Sequence, residues 1–151
     1  MTQNPVEFAA SDGTMLRGLL YLPETSAQSP GVVMTHGFSA VKEMGLPPFA
    51  EAIRDAGCAV LLYDHRGLGG SDGKPRQQIN PWAQMRDMRQ ALTWLGDRSA
   101  VDAERLGLWG SSFSGGEVLV LGAIDDRVRA VVANVPFAGL AGADYDSGTE
   151  R

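Results

Sequence analysis

The chain is predicted to fold as an α/β domain with a doubly wound, mainly parallel sheet of about six strands, opened by an antiparallel hairpin at its amino terminus. Three observations predict this. Short runs that are apolar throughout alternate with segments whose apolar residues recur at helical spacing, the pattern of strands buried on both faces beneath covering helices. The Gly, His, Asp and Ser residues gather where the apolar runs end, which is where sheets of this kind bind ligands. An Asp-Gly pair within Ser11-Asp12-Gly13-Thr14 signals a hairpin turn.

Each element follows from local chemistry. Residues 6–9 and 15–22 are predicted as the two hairpin strands, and 23–30, rich in Ser and Pro, as a loop. The uninterrupted run 31–35 reads as the third strand, ended by His36-Gly37-Phe38. Pro47-Pro48 opens a helix that runs through Ala56, and Gly57 closes it. Residues 58–63 form the fourth strand. Pro81-Trp82 starts a longer helix, in which Trp82, Met85, Met88, Leu92 and Leu95 recur at helical spacing and are expected to face the sheet. Residues 106–109 and 128–135 supply the fifth and sixth strands, with 117–124 as the helix between them. One domain over residues 1–137 is expected, and 138–151, rich in Gly and Asp, as a flexible tail.

Composition narrows the function classes. At 151 residues and 44% hydrophobic, the chain is long enough to bury a core. A net charge of -5 and a pI near 4.9 argue against nucleic acid as a partner, because a phosphate-backbone binder needs a basic face. Cys58 is the one cysteine, so no intrachain disulfide forms, and the amino terminus lacks the basic and apolar regions of a signal peptide; both fit a cytoplasmic setting. No stretch approaches the roughly 20 apolar residues needed to cross a bilayer. Neither histidine has the spaced partners of a zinc site, and Gly67, Gly69 and Gly70 precede Ser71-Asp72-Gly73-Lys74-Pro75 rather than a helix start, so neither a metal nor a nucleotide cofactor is expected.

The segment with most chemical content is Arg105-Leu106-Gly107-Leu108-Trp109-Gly110-Ser111-Ser112-Phe113-Ser114-Gly115-Gly116. It reads as a strand, a tight turn carrying a serine, and a helix. Such a corner exposes a hydroxyl at the carboxyl end of a strand and aims backbone amides at a reacting oxygen, which makes Ser112 the candidate nucleophile. Ser111 and Ser114 read as turn formers, with Ser114 the fallback nucleophile should the turn register shift by two.

Three separated signatures occur in order: His36-Gly37-Phe38, Asp64-His65-Arg66-Gly67-Leu68-Gly69-Gly70-Ser71, and Gly110-Ser111-Ser112-Phe113-Ser114-Gly115. Through them the chain resembles the α/β-hydrolase superfamily over residues 6–137, closest to small acyl hydrolases of the dienelactone hydrolase and serine aminopeptidase type. The resemblance implies that Ser112 attacks an acyl carbon while the backbone amides of Phe38 and Phe113 receive the oxyanion. It further implies a serine-dependent carboxylic ester hydrolase acting on small acyl esters.

Two departures stand out. The usual second glycine of the elbow is Ser114, a small residue that the turn can accept. In the superfamily the acid follows the sixth or seventh strand and the histidine the eighth, whereas this chain ends soon after its sixth. The sequence looks like the amino-terminal part of a hydrolase. Both histidines, His36 and His65, precede Ser112, and a serine without an adjacent base is a weak nucleophile. His36, on a strand adjacent to that of Ser112 by superfamily strand order, is either the base or a buttress of the oxyanion turn. His65 reads as a turn residue, Asp64 as an organiser of its own loop, Arg66 as the partner of a nearby carboxylate, and Asp144 or Asp146 as a stand-in acid or part of a solvated tail.

An alternative is a catalytically silent fragment serving as a binding or assembly domain. In either case the sixth strand, with Val131-Val132-Ala133 uncharged, becomes a sheet edge, and a symmetric homodimer through that edge or through an uncovered sheet face is expected.

Overall fold

Asp12 and Gly13 reverse the chain between β1 (Gln3–Ala9) and β2 (Met15–Tyr21) in the computed structural model, which describes residues 3–139. The Asp12 carboxylate accepts a hydrogen bond from the Thr14 amide at 3.0 Å, and Gly13 takes a positive φ of 84°, which suits a residue without Cβ. Then follow β3 (Ser29–Thr35), α1 (Pro47–Asp55), β4 (Ala59–Tyr63), α2 (Pro81–Gly96), β5 (Val101–Ser111), α3 (Phe113–Ile124) and β6 (Val128–Asn134). Pro stands in the first turn of α1 and α2, and the Asn80 side chain caps α2 by accepting from the Ala83 amide.

The strands lie in the order β1-β2-β4-β3-β5-β6. β2 runs antiparallel to both β1 and β4, and the β4–β3, β3–β5 and β5–β6 pairs are parallel. The doubly wound, mainly parallel α/β sheet expected from the sequence is therefore present, hairpin included.

β4 explains the two-sided core. Its five residues are all buried, and they alternate: Ala59, Leu61 and Tyr63 join Met88, Leu92 and Leu95 of α2 and Val118 and Leu121 of α3, while Val60 and Leu62 join Ala50 of α1, Met34 and Trp109. Burying each such leucine contributes about 1.5–3 kcal/mol. α1 thus covers one face, and α2 and α3 the other.

Two expectations are corrected. Trp82 does not face the sheet; it is 71% exposed, because the buried face of α2 runs through Gln84, Met88, Ala91 and Leu95, and Trp82 lies well round the helix from that line. β5 begins at Val101 rather than at residue 106, since a register shift between Pro30 and Gly31 lets Ser29 and Pro30 pair with Val101 and Asp102. The expected tail falls almost wholly outside the described residues.

Among the described strands, β6 is the edge beyond β5. Val132 on β6 and Leu119, Val120 and Ile124 on α3 are exposed. Among the described residues, no helix is long and apolar enough to cross a membrane.

Candidate functional site

Ser112 occupies the single residue between β5 and α3, with φ 55° and ψ -113°. A side chain in that region carries strain of about 1–3 kcal/mol, so the surroundings must hold it there. They do so through the backbone: the Ser112 amide donates to the Asn134 carbonyl at 2.9 Å, and the Ser112 carbonyl accepts from the Gly116 and Phe137 amides at 3.3 and 2.8 Å. The end of β6 and the first turn of α3 thereby clamp the corner, while the Ser112 side chain stays exposed.

Parallel pairing of β3 with β5, Thr35 opposite Gly110, carries the turn His36-Gly37-Phe38 to the same end of the sheet. A Cβ on Gly37 would meet the Ser112 Cβ, so only glycine lets the two backbones come this close. Among the described residues, the Phe38 and Phe113 amides donate to no acceptor. That of Phe113 is free because it opens α3, where the first N–H groups have no intrahelical partner. The Phe38 ring meets the Phe113 ring edge-on at 5.6 Å, and Phe113 stacks on Phe137 at 6.2 Å, so an aromatic rim forms at the residue after Ser112.

The structure does not bring His36 to Ser112. Its Nδ1 lies 3.0 Å from the Gly37 carbonyl, which can only accept, so Nδ1 carries the proton. Its Nε2 accepts from the His65 amide at 3.1 Å. Both ring nitrogens are committed, and the ring buttresses the turn instead of facing the serine. Burial lowers the His36 pKa, against the pull of the Gly37 carbonyl and Asp64.

His65 is no simple turn residue. It is fully buried with its ring edge-on to His36, and its Nε2 lies 2.8 Å from Ser114 Oγ. Burial first, and His36 second, hold its pKa well below the usual value. Ser114 Oγ also lies 2.6 Å from the His36 carbonyl and 3.0 Å from Glu117 Oε2. The serine at the usual glycine position of the elbow is therefore the hub of a buried polar cluster. Burial pushes the Glu117 carboxyl up to about 7.

Asp64 is buried and organises its loop as expected, accepting from the Gly70 amide at 2.9 Å; it also binds the Lys42 amide and ammonium, each at 2.7 Å. Arg66 forms a two-pronged pair with buried Asp87 at 2.6 and 2.7 Å and reaches Asp12 at 2.8 Å. Asp144 and Asp146 lie outside the described residues. Among those described, no group of three His, Cys, Asp or Glu side chains is placed to hold a metal. A hollow of about 700 Å³ lined by Pro23, Gln28, Arg54 and Arg105 opens at the amino-terminal ends of β3 and β4, away from Ser112.

The model of the X-Pro dipeptidyl-peptidase (S15) family matches residues 12–149, nearly the whole chain. The chain belongs to that family. It is 44% identical over 136 residues to thiohydrolase aneE of Aspergillus aculeatus, covering 90% of this chain and 42% of the relative. It is 41% identical over 138 residues to polyketide transferase af380 of Aspergillus fumigatus, covering 91% and 47%. The crystal structure of the α/β hydrolase GrgF from Penicillium sp. sh18 superposes with a TM-score of 0.86 at 37% identity, covering 90% of this chain and 46% of that one. The α/β-hydrolase resemblance read from three loops is thus shown, and the chain spans less than half the length of the relatives it matches.

Sequence reasoning missed the buried roles of His65, Ser114 and Glu117. One signal was available: Glu117 is the sole charge in the otherwise apolar α3 sequence FSGGEVLVLGAI.

Proposed function

We propose that Ser112 is the nucleophile of a serine-dependent acyl hydrolase acting on small carboxylic esters or thioesters, with the Phe38 and Phe113 amides as oxyanion donors. The observation that carries this is an exposed hydroxyl on a positive-φ corner beside two backbone amides that donate to no described acceptor. Ser112 Oγ bonds to the acyl carbon, the carbonyl oxygen gathers negative charge between the two amides, and the alcohol or thiol leaves with a proton. The amino-terminal end of α3, pointing at that oxygen, adds its positive dipole end. The aromatic rim suits an apolar acyl group, and the names of the thiohydrolase and polyketide transferase relatives support acyl chemistry.

The base that removes the Ser112 proton is neither of the two histidines, whose described bonds run elsewhere. The same observation favours a second reading, a binding domain that keeps the elbow for its fold. An activated short-chain nitrophenyl ester separates the two. The hydrolase reading expects acyl-enzyme on Ser112, detected by intact mass and lost in Ser112→Ala. The binding reading expects none.

The free Cys58 and the acidic balance support a cytoplasmic setting. The unpaired β6 edge, with Val132 exposed beside it, supports pairing with a second copy of the chain. Sedimentation that finds only monomer at micromolar concentration would count against that assembly.

A further inference from the structure

Three polar atoms surround Ser114 Oγ, and a hydroxyl has one hydrogen to give. At 2.6 Å from the His36 carbonyl, which can only accept, that hydrogen lies on the His36 bond. The remaining two neighbours, His65 Nε2 at 2.8 Å and Glu117 Oε2 at 3.0 Å, must then donate to the lone pairs of Oγ. For His65 this fixes the neutral tautomer with the proton on Nε2, leaving Nδ1 bare, and Nδ1 is indeed buried without a hydrogen-bond partner. For Glu117 it requires a protonated carboxyl group.

We propose that Glu117 is a positioning residue whose protonated carboxyl donates to Ser114 Oγ, and that through Ser114 it fixes the His36 carbonyl and the turn carrying the Phe38 amide beside Ser112. The proposal rests on the reading of Ser112 as nucleophile and deepens it.

The surroundings agree with a neutral acid. Glu117 is 4% exposed, and its Oε1 is buried with no hydrogen-bond partner among the described residues. His65 approaches Oε2 to 3.8 Å from the loop after β4, but burial keeps that ring neutral. Tyr63, at the end of β4, has its hydroxyl buried and, among the described residues, unpartnered, and burial above all raises its pKa. On the α2 side Asp87 is bound to Arg66, whose other prong holds Asp12. Trp82 and Met85 of α2, with Phe113 and Phe137, line a mainly apolar cleft beside Glu117. No described cation is left to compensate a carboxylate there. Ionisation would place a buried charge beside Ser114 and draw the serine hydrogen away from the His36 carbonyl, since a charged acceptor forms the stronger bond.

The test compares wild type, Glu117→Gln and Glu117→Ala on either side of neutrality. Gln keeps a donor for Ser114 Oγ at every pH, whereas Ala removes it; circular dichroism establishes that each variant is folded. Infrared difference spectra of wild type against Glu117→Gln should contain a protonated-carboxyl band that disappears as pH rises. The rate of Ser112 modification by an organophosphonate ester, taken as the ratio of wild type to Glu117→Gln, should fall roughly two- to tenfold over the same range, the size of one lost neutral hydrogen bond. A missing carboxyl band at mildly acidic pH, or a ratio that stays flat while adduct still forms, overturns the role of Glu117 and leaves Ser112 as nucleophile. No adduct in any folded variant overturns the nucleophile reading, and the positioning role with it.

Discussion

A Cβ on residue 37 would lie 3.1 Å from the Cβ of Ser112, closer than two such atoms comfortably stand. The turn after β3 and the corner after β5 are therefore packed backbone to backbone, and glycine is what permits it. Gly37→Ala is expected to fold at a cost of about 1 kcal/mol and to push the Phe38 amide a few tenths of an ångström from its place. Labelling of Ser112 by an organophosphonate should slow by about tenfold, as misplacements of this order do in oriented reactions. Rate and urea midpoint measured together check this.

The positive φ of Ser112 has an opposite consequence for stability. Ser112→Gly relieves the Cβ strain and is expected to raise unfolding stability by about 1 kcal/mol, net of the greater freedom of glycine in the unfolded chain. Ser112→Ala keeps a Cβ and should leave stability within about 0.5 kcal/mol of wild type. Both remove the proposed nucleophile. Denaturant melts of the three proteins check the order.

Because both histidines are committed to the buried cluster, the serine lacks a described base. Exogenous imidazole should supply one. Acylation of Ser112 by a nitrophenyl ester is expected to rise with added imidazole, beyond the background reaction seen with Ser112→Ala, by about tenfold or more. His36→Ala should not abolish that rescue if the protein remains folded, since the His36 ring nitrogens bind the Gly37 carbonyl and the His65 amide.

Glu117 gives stability a pH dependence whose sign is fixed. Its folded pKa, near 7, lies above the ordinary 4.5. The folded state thus holds the proton more tightly, and stability falls as pH rises from about 4.5 to about 7, by up to about 3 kcal/mol in all. His36 and His65, whose pKa values burial lowers, act in the other direction: their folded forms resist protonation, so stability is lost as pH falls below about 6.5. Glu117→Gln removes only the first effect. Its stability relative to wild type should grow as pH is raised through neutrality, read from urea midpoints on both sides.

Much of this fold is legible from apolar runs alone, because β4 is buried along its whole length and residues 31–34 of β3 and 106–110 of β5 carry no polar side chain to blur the pattern. The start of β5 is not, since Asp102, Ala103, Glu104 and Arg105 are half-exposed or exposed and pairing there depends on a register shift against β3. Trp82 misleads because successive steps of three residues, 82 to 85 to 88, drift round the helix, so the apolar series leaves the buried face that Gln84, Met88, Ala91 and Leu95 define. At the site, Ser112 is visible as a small-residue break between strand and helix. His65 is not, because a buried polar side chain is recognisable only once its partner is, and Ser114 Oγ, 2.8 Å from its Nε2, comes from a distant part of the chain; the charge of Glu117 stands out in α3, but its bond to Ser114 Oγ at 3.0 Å does not. The separation of His36 from the serine proton likewise depends on ring orientation, which adjacency of β3 and β5 leaves open.

The most direct test of Ser112 as an exposed, amide-flanked nucleophile is intact mass spectrometry after prolonged exposure to an organophosphonate ester, with the adduct mapped by proteolysis. A single adduct on Ser112, slow without imidazole and absent in Ser112→Ala, is the expected result. A folded protein that takes up no label, or carries it equally in Ser112→Ala, would contradict the assignment.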